Sequence, residues 1–152
     1  MALKKSKFNP EDIKIVGLNI LESTIKQKDF FSKSDDISGY DIEMSNETAY
    51  NFDEKAARYR LYFLIEGKNK NDEKIGVTAK IHLEFHFQLK NGDMYLKKMH
   101  NKTIVDFQLA SNLMSVAYAT SRGIVWQLTL PSAMKGVMLP VINAAEFLEE
   151  NH

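Results

Sequence analysis

Residues 74–89 read KIGVTAKIHLEFHFQL and alternate without a break. Ile75, Val77, Ala79, Ile81, Leu83, Phe85, Phe87 and Leu89 fall on one side. Lys74, Gly76, Thr78, Lys80, His82, Glu84, His86 and Gln88 fall on the other. A period of two over this length is a strand with one dry face and one wet face, the pattern of an antiparallel sheet.

Weaker strands precede it. In RYRLYFLIEG, Tyr59, Leu61, Phe63 and Ile65 share a face, while Arg58, Arg60, Tyr62, Leu64 and Glu66 share a mixed one. A mixed second face predicts a central position or a partner. Tyr40, Ile42 and Met44 alternate with Asp41, Glu43 and Ser45 and predict another strand with one wet face. Residues 46–55 show no clear period and read as a loop. Ile13 and Ile15 alternate with Lys14, and the apolar phase then slips to Val16, Leu18 and Ile20, which predicts a bulge near Val16-Gly17. Residues 26–36 form a charged turn region containing Phe30 and Phe31, and KNKND at 68–72 and Asn91-Gly92-Asp93 are turns. The basic stretch 1–10 reads as a loose tail, and residues 94–106 as a partly extended lead into the C-terminal third.

That last third is helical. Asp106 is placed to cap a helix in which Leu109, Leu113, Val116, Thr120, Ile124 and Leu128 recur every three or four residues, the expected core face. Ser111, Ser115, Tyr118, Arg122 and Trp126 line the opposite side, so a helix apolar on more than one side calls for a second partner. Pro131 ends it. Met134, Val137, Met138 and Leu139 then lie between Pro131 and Pro140 in an apolar loop hinged at Gly136, and loops are normally wet. Asn143 with Glu146 predicts a capping box for a short closing helix around Phe147 and Leu148. Strands first and helices last define an α+β fold with helices on one sheet face.

Composition bounds the function. The 152 residues fit one domain, 1–152. Lys plus Arg equals Asp plus Glu at 20 each, so no net charge attracts nucleic acid. There is no cysteine, which suits a reducing cytoplasm. No secretory leader pattern and no membrane-length apolar run is seen. Nucleophile motifs, phosphate loops and dinucleotide fingerprints are missing, so a non-enzymatic protein without cofactor is expected. His82, Glu84 and His86 share a strand face, but alternate residues lie about 7 Å apart, too far for His82 and His86 to share a metal without bending. Arg122 is expected to bond a neighbouring carboxylate or carbonyl. Methionine is flexible and polarizable, so Met134 and Met138 suit a surface that accepts many apolar partners.

The run NLMSVAYATSRGIVWQL, the apolar loop and LPVINAAEFLEE together resemble the C-terminal signature of the SecB export-chaperone family. Tyr118, Ala119, Arg122, Gly123, Ile124, Leu128, Leu139, Pro140, Val141, Asn143 and Leu148 fit its ordered set. The likeness covers roughly residues 107–149; upstream it rests on strand layout. The resemblance implies a four-stranded antiparallel sheet with a long C-terminal helix, a crossover loop and a short closing helix. It implies a homo-oligomer, a dimer or a dimer of dimers (homotetramer). The implied activity is ATP-independent holding of unfolded or precursor polypeptides in an apolar groove, for protein export or for protection of an antitoxin. Matching groove positions are Val77, Ile81, Phe87, Trp126, Met134, Met138 and Leu139. Members that hand clients to the SecA motor carry an acidic sheet face, whereas Lys14, Lys74 and Lys80 stand on that face here. The alternative is an adaptor that uses the same surface for one fixed partner.

Overall fold

The computed structural model describes residues 8–28 and 37–150; the tail 1–7, Phe30 and Phe31 with the rest of 29–36, and His152 lie outside the described residues. Strands β1 (Ile13–Gln27), β2 (Gly39–Asn51), β3 (Ala56–Lys68) and β4 (Lys74–Leu89) form a sheet in the order β1-β4-β3-β2. Every pairing is antiparallel. A small hairpin of β5 (Leu96–Met99) and β6 (Lys102–Val105) leads into helix α1 (Phe107–Thr129), and α2 (Ala144–Glu149) closes the chain. This is the expected α+β architecture. The mixed face of β3 is explained by its central place, flanked on both sides and next to β4.

The alternation of β4 holds at every core position. Val77, Ala79, Ile81, Leu83, Phe85, Phe87 and Leu89 are buried, opposite Tyr59, Leu61, Phe63 and Ile65 of β3. Each such large side chain contributes about 1.5–3 kcal/mol on leaving water. One polar chain ties the layers. The Tyr59 hydroxyl, buried between sheet and helix, donates to the Ala110 carbonyl at 3.0 Å and also meets the Tyr50 hydroxyl.

Three local readings need correction. First, β2 does not stop at Ser45 but runs unbroken to Asn51. Asn46 interrupts the apolar alternation in sequence, yet it occupies a half-buried position because its Nδ2 donates to the Phe147 carbonyl at 2.9 Å. Thr48 and Tyr50 then continue the same face. Second, the core stripe of α1 is rotated from the expected one. Leu109 and Leu113 are buried, but Val116, Thr120, Ile124 and Leu128 are only half-buried. The deeper positions are Ala110, Met114, Ala117, Tyr118, Ser121, Val125 and Thr129. Alanine and serine let the helix approach the sheet closely. Ser121 and Thr129 stay dry because each hydroxyl donates to the carbonyl four residues back, at 2.7 Å in both cases. Third, residues 96–105 are not merely extended but pair on themselves as β5–β6.

The bulge expected near Val16-Gly17 is present, as a register shift between Ile15 and Gly17. A second shift lies between Ile20 and Glu22. Asp106 caps α1 by accepting from the Leu109 N–H at 3.0 Å, and Asn143 caps α2 by accepting from Ala145 and Glu146. Phe8 packs on Tyr95, and the buried Asp12 accepts from the Tyr95 hydroxyl at 2.6 Å, which fastens the start of β1 to the hairpin approach.

Candidate functional site

The segment after Pro131 is bound to β2 and to α1, mostly through its carbonyls. The Tyr40 hydroxyl donates to the Met134 carbonyl, and the Tyr118 hydroxyl to the Pro140 carbonyl. Arg122 Nε donates to the Leu139 carbonyl at 3.1 Å, the carbonyl role expected for it. Thr129 accepts from the Val137 N–H at 2.8 Å. An apolar loop survives at the surface because its backbone is satisfied internally.

This pinning sorts the sequence-predicted groove residues into two sets. Val77, Ile81 and Phe87 lie in the sheet core under α1, and Met134 and Leu139 are buried beneath the loop. Trp126 remains 37% exposed and Met138 57% exposed. Leu130 and Val141 are also exposed, so the end of α1 and the loop present an apolar surface of their own. The Trp126 ring lies over Gly136, whose φ of +94° is open to glycine.

A cleft of about 330 Å³ opens on the helix side of β2. Its walls are Thr48 and Tyr50 of β2, Thr103 and Val105 of the hairpin, Phe107 and Ala110 of α1, and Leu148 and Glu149 of α2. Sequence reasoning missed it, because one wall, Thr48 and Tyr50, lies on the part of β2 read as loop. The available signal was the Thr48/Tyr50 continuation beyond Asn46.

The helix side of β1 is a second uncovered region. Ile15, Leu18 and Ile20 pair opposite Phe87, Phe85 and Leu83, so they point toward the core side, yet all three are exposed because α1 leaves this edge bare. Val16 and Leu21, at the two bulges, are exposed as well.

The other sheet face is polar. His82, Glu84 and His86 share it as predicted, but they do not converge on a common centre. Glu84, only 7% exposed, accepts from Arg60 Nε at 2.7 Å through one oxygen. Its other oxygen meets His86 Nε2 at 2.7 Å and Asn19 Nδ2 at 3.2 Å. The Arg60 guanidinium, then the His86 ring, hold its carboxyl down at about 2. His82 instead stacks on Tyr62 at 3.8 Å, and burial, then the Arg60 charge, lowers its pKa. Among the described residues no cluster of three or more His, Asp or Glu is arranged to hold a metal. Lys14 and Lys80 are exposed on this face, and Lys74 pairs with Glu66 at 2.6 Å, so acids and bases are interspersed here. A depression of about 300 Å³ between Glu22, Glu43, Tyr62, Leu64, Lys80 and His82 shares that mixed character.

A four-stranded antiparallel sheet, covered on one face by a long helix and leaving apolar surface bare at both edges, defines the class of this protein. No family model matches the chain, and no curated protein matches it by sequence. Its architecture is the SecB-like fold. It is similar to a SecB-like chaperone from Mycobacterium tuberculosis, solved in complex with a ChAD peptide from an antitoxin, with a TM-score of 0.63 and 15% identity over 87% of this chain and 91% of that one. A protein of unknown function from Streptococcus agalactiae also matches, with a TM-score of 0.42 and 8% identity over 85% of this chain and 97% of that one. No helix among the described residues is long and apolar enough to cross a membrane.

Proposed function

We propose that this protein is an ATP-independent chaperone that holds unfolded or precursor polypeptides, an antitoxin among the possible clients, on the apolar surface around α1. The observation that carries the reading is the pairing of a SecB-like fold with large apolar side chains left in water at Trp126 and Met138, around the C-terminal end of α1 and the loop beyond it. Contiguous exposed apolar surface of this kind marks sites of protein association. In this reading Trp126 and Met138 touch the client, while Val77, Ile81, Phe87, Met134 and Leu139 form the floor that keeps the surface in shape. The polypeptide held by the M. tuberculosis chaperone supports the choice of ligand class.

The same reading assigns the bare face of β1 to self-association. A second copy, in a dimer or a dimer of dimers, covers Ile15, Leu18 and Ile20. Docking to the SecA motor through an acidic sheet face is not part of the proposal, because Lys14 and Lys80 interrupt that face. The protein acts in the cytoplasm and catalyses no reaction.

The test is light scattering of a chemically denatured client diluted into buffer without nucleotide. Suppression that saturates near one client per assembly supports holding. Unaltered aggregation at matched concentration removes the proposal. Capture of one folded partner with no effect on unfolded clients replaces it with the adaptor reading.

A further inference from the structure

We propose that the β5–β6 hairpin docks this protein on a lipid bilayer that carries anionic headgroups. Met99 and Ile104 dip between the lipids, and Lys97, Lys98 and Lys102 meet the headgroup phosphates. The proposal uses a surface apart from Trp126 and Met138 and stands independently of the polypeptide-holding reading.

Residues 94–105 hold three lysines and one histidine and no carboxylate. In a chain with 20 bases and 20 acids, that local excess is hidden by the net charge. The carboxylates that flank the segment in sequence are engaged elsewhere. Asp93 pairs with Lys55 at 2.8 Å, and Asp106 accepts from the Leu109 N–H at 3.0 Å. Lys97, Lys98 and Lys102 form no ion pair among the described residues.

The hairpin register sorts its side chains. Leu96 pairs with Val105 and Lys98 with Thr103 on one face; Lys97 pairs with Ile104 and Met99 with Lys102 on the other. Leu96 is buried, and Thr103 and Val105 line the cleft that Glu149 also borders, so the first face is turned inward. Lys97, Met99, Lys102 and Ile104 all stand in water, with Met99 51% and Ile104 47% exposed. Each apolar side chain thus lies opposite a lysine, which keeps the cations apart and interleaves them with grease. Lys98, nearer the tip on the inward face, is exposed as well.

The tip is set in advance. His100 and Asn101 close it with φ of +47° and +66°, the two positive angles of a tight hairpin turn. At the base, the Asp106 N–H donates to the Tyr95 carbonyl at 2.8 Å, and the Tyr95 hydroxyl donates to Asp12 at 2.6 Å.

Size and chemistry select the partner. Two four-residue strands cover about 13 Å by 10 Å, a footprint on the order of 150 Å², far below the ~800 Å² per partner of a stable protein interface. Nucleic acid would satisfy the lysines and leave Met99 and Ile104 without a partner. An anionic bilayer satisfies both: apolar side chains enter the acyl boundary while lysine stems reach back to phosphate. It needs no matching contour, so a small convex tip suffices.

The experiment is co-sedimentation of the full-length protein with vesicles of two parts phosphatidylcholine to one part phosphatidylglycerol, and with vesicles of phosphatidylcholine alone. Three lysines at about a factor of five each predict roughly a hundredfold preference for the anionic vesicles. Salt at about 1 M should abolish it. Lys97→Gln with Lys102→Gln is expected to lower binding about thirtyfold, and Met99→Ser with Ile104→Ser about tenfold. Lys14→Gln with Lys80→Gln removes the same charge from the sheet face and should bind as the parent does. The chain has no cysteine, so an environment-sensitive dye on Met99→Cys reports the tip alone and should shift to the blue on anionic vesicles.

Equal binding to both vesicle types overturns the proposal, and so does an equal loss in the Lys14/Lys80 variant, which marks attraction by charge at large. Sedimentation without a dye shift shows that another surface docks and overturns it too. Hairpin-dependent affinity for a DNA duplex or for polyglutamate that exceeds affinity for the anionic vesicles assigns the lysines to an acidic polymer and refutes the bilayer. Melting curves of each variant confirm that lost binding is not lost folding. Suppression of client aggregation by the hairpin variants is expected to stay unchanged, so the holding reading stands or falls separately.

Discussion

The indole of Trp126 lies against Gly136 so closely that a Cβ at position 136 would come within 2.9 Å of its Cζ3 and 3.0 Å of its Cη2. The contact joins the last turns of α1 to the loop beyond it. Gly136 also holds a φ of +94°, so a side chain there is strained twice, by backbone and by ring.

Gly136→Ala is therefore expected to lower stability by about 1–3 kcal/mol. It should also push the indole toward water. Trp126 is the single tryptophan, so a red shift in fluorescence emission reads the displacement directly, and denaturant titration reads the stability.

Trp126→Ala with Met138→Ala should leave the fold intact, because both side chains stand partly in water. Client-holding capacity should drop about tenfold or more, the cost of losing an aromatic anchor of about 2 kcal/mol. Leu139→Ala is the contrasting case. It empties a buried site and is expected to cost about 2–5 kcal/mol of folding free energy. Aggregation assays paired with melting curves separate the two classes.

Leu18→Glu with Ile20→Glu should yield a smaller species in sedimentation velocity, with an unchanged far-ultraviolet spectrum. Both side chains are exposed on the bare flank of β1, so the fold tolerates the charge while a second copy does not. An unchanged sedimentation coefficient would place self-association elsewhere.

Glu84 gives stability a defined pH dependence. Its carboxyl is depressed from the ordinary 4.5 to about 2, by Arg60 first and His86 second. A carboxyl lowered by folding favours the folded state fully above its unfolded pKa. That contribution is lost as pH falls through the folded value, so the window lies between about 4.5 and about 2. Glu84→Gln should cost about 1–2 kcal/mol at neutral pH and flatten the loss within that window. Denaturant unfolding at several acidic pH values checks both.

How much of this was legible depends on whether a residue's partner is local. The strands β3 and β4 are read from alternation because Leu61, Ile65, Leu83 and Phe85 obey a period that needs only their own neighbours. The second half of β2 is hidden because Asn46 is admitted by a carbonyl about a hundred residues later, at Phe147. The helix face was misjudged where Ser121 and Thr129 count as polar in sequence while their hydroxyls are satisfied within the helix. At the candidate site, the family resemblance names Met134, Met138 and Leu139 together as groove positions. Only the hydroxyl of Tyr40 and the guanidinium of Arg122, distant in the chain, decide that two of them turn inward and one turns out.

The tyrosine hydroxyls that take up the carbonyls of Met134 and Pro140 have a kinetic consequence. A wall braced at both ends behaves as a preset mould, so little of the loop's own entropy remains to be surrendered when a guest arrives. Nearly all the ordering then falls on the guest. Capture rates should track the slackness of the incoming chain, while the protein's own relaxation stays nearly silent.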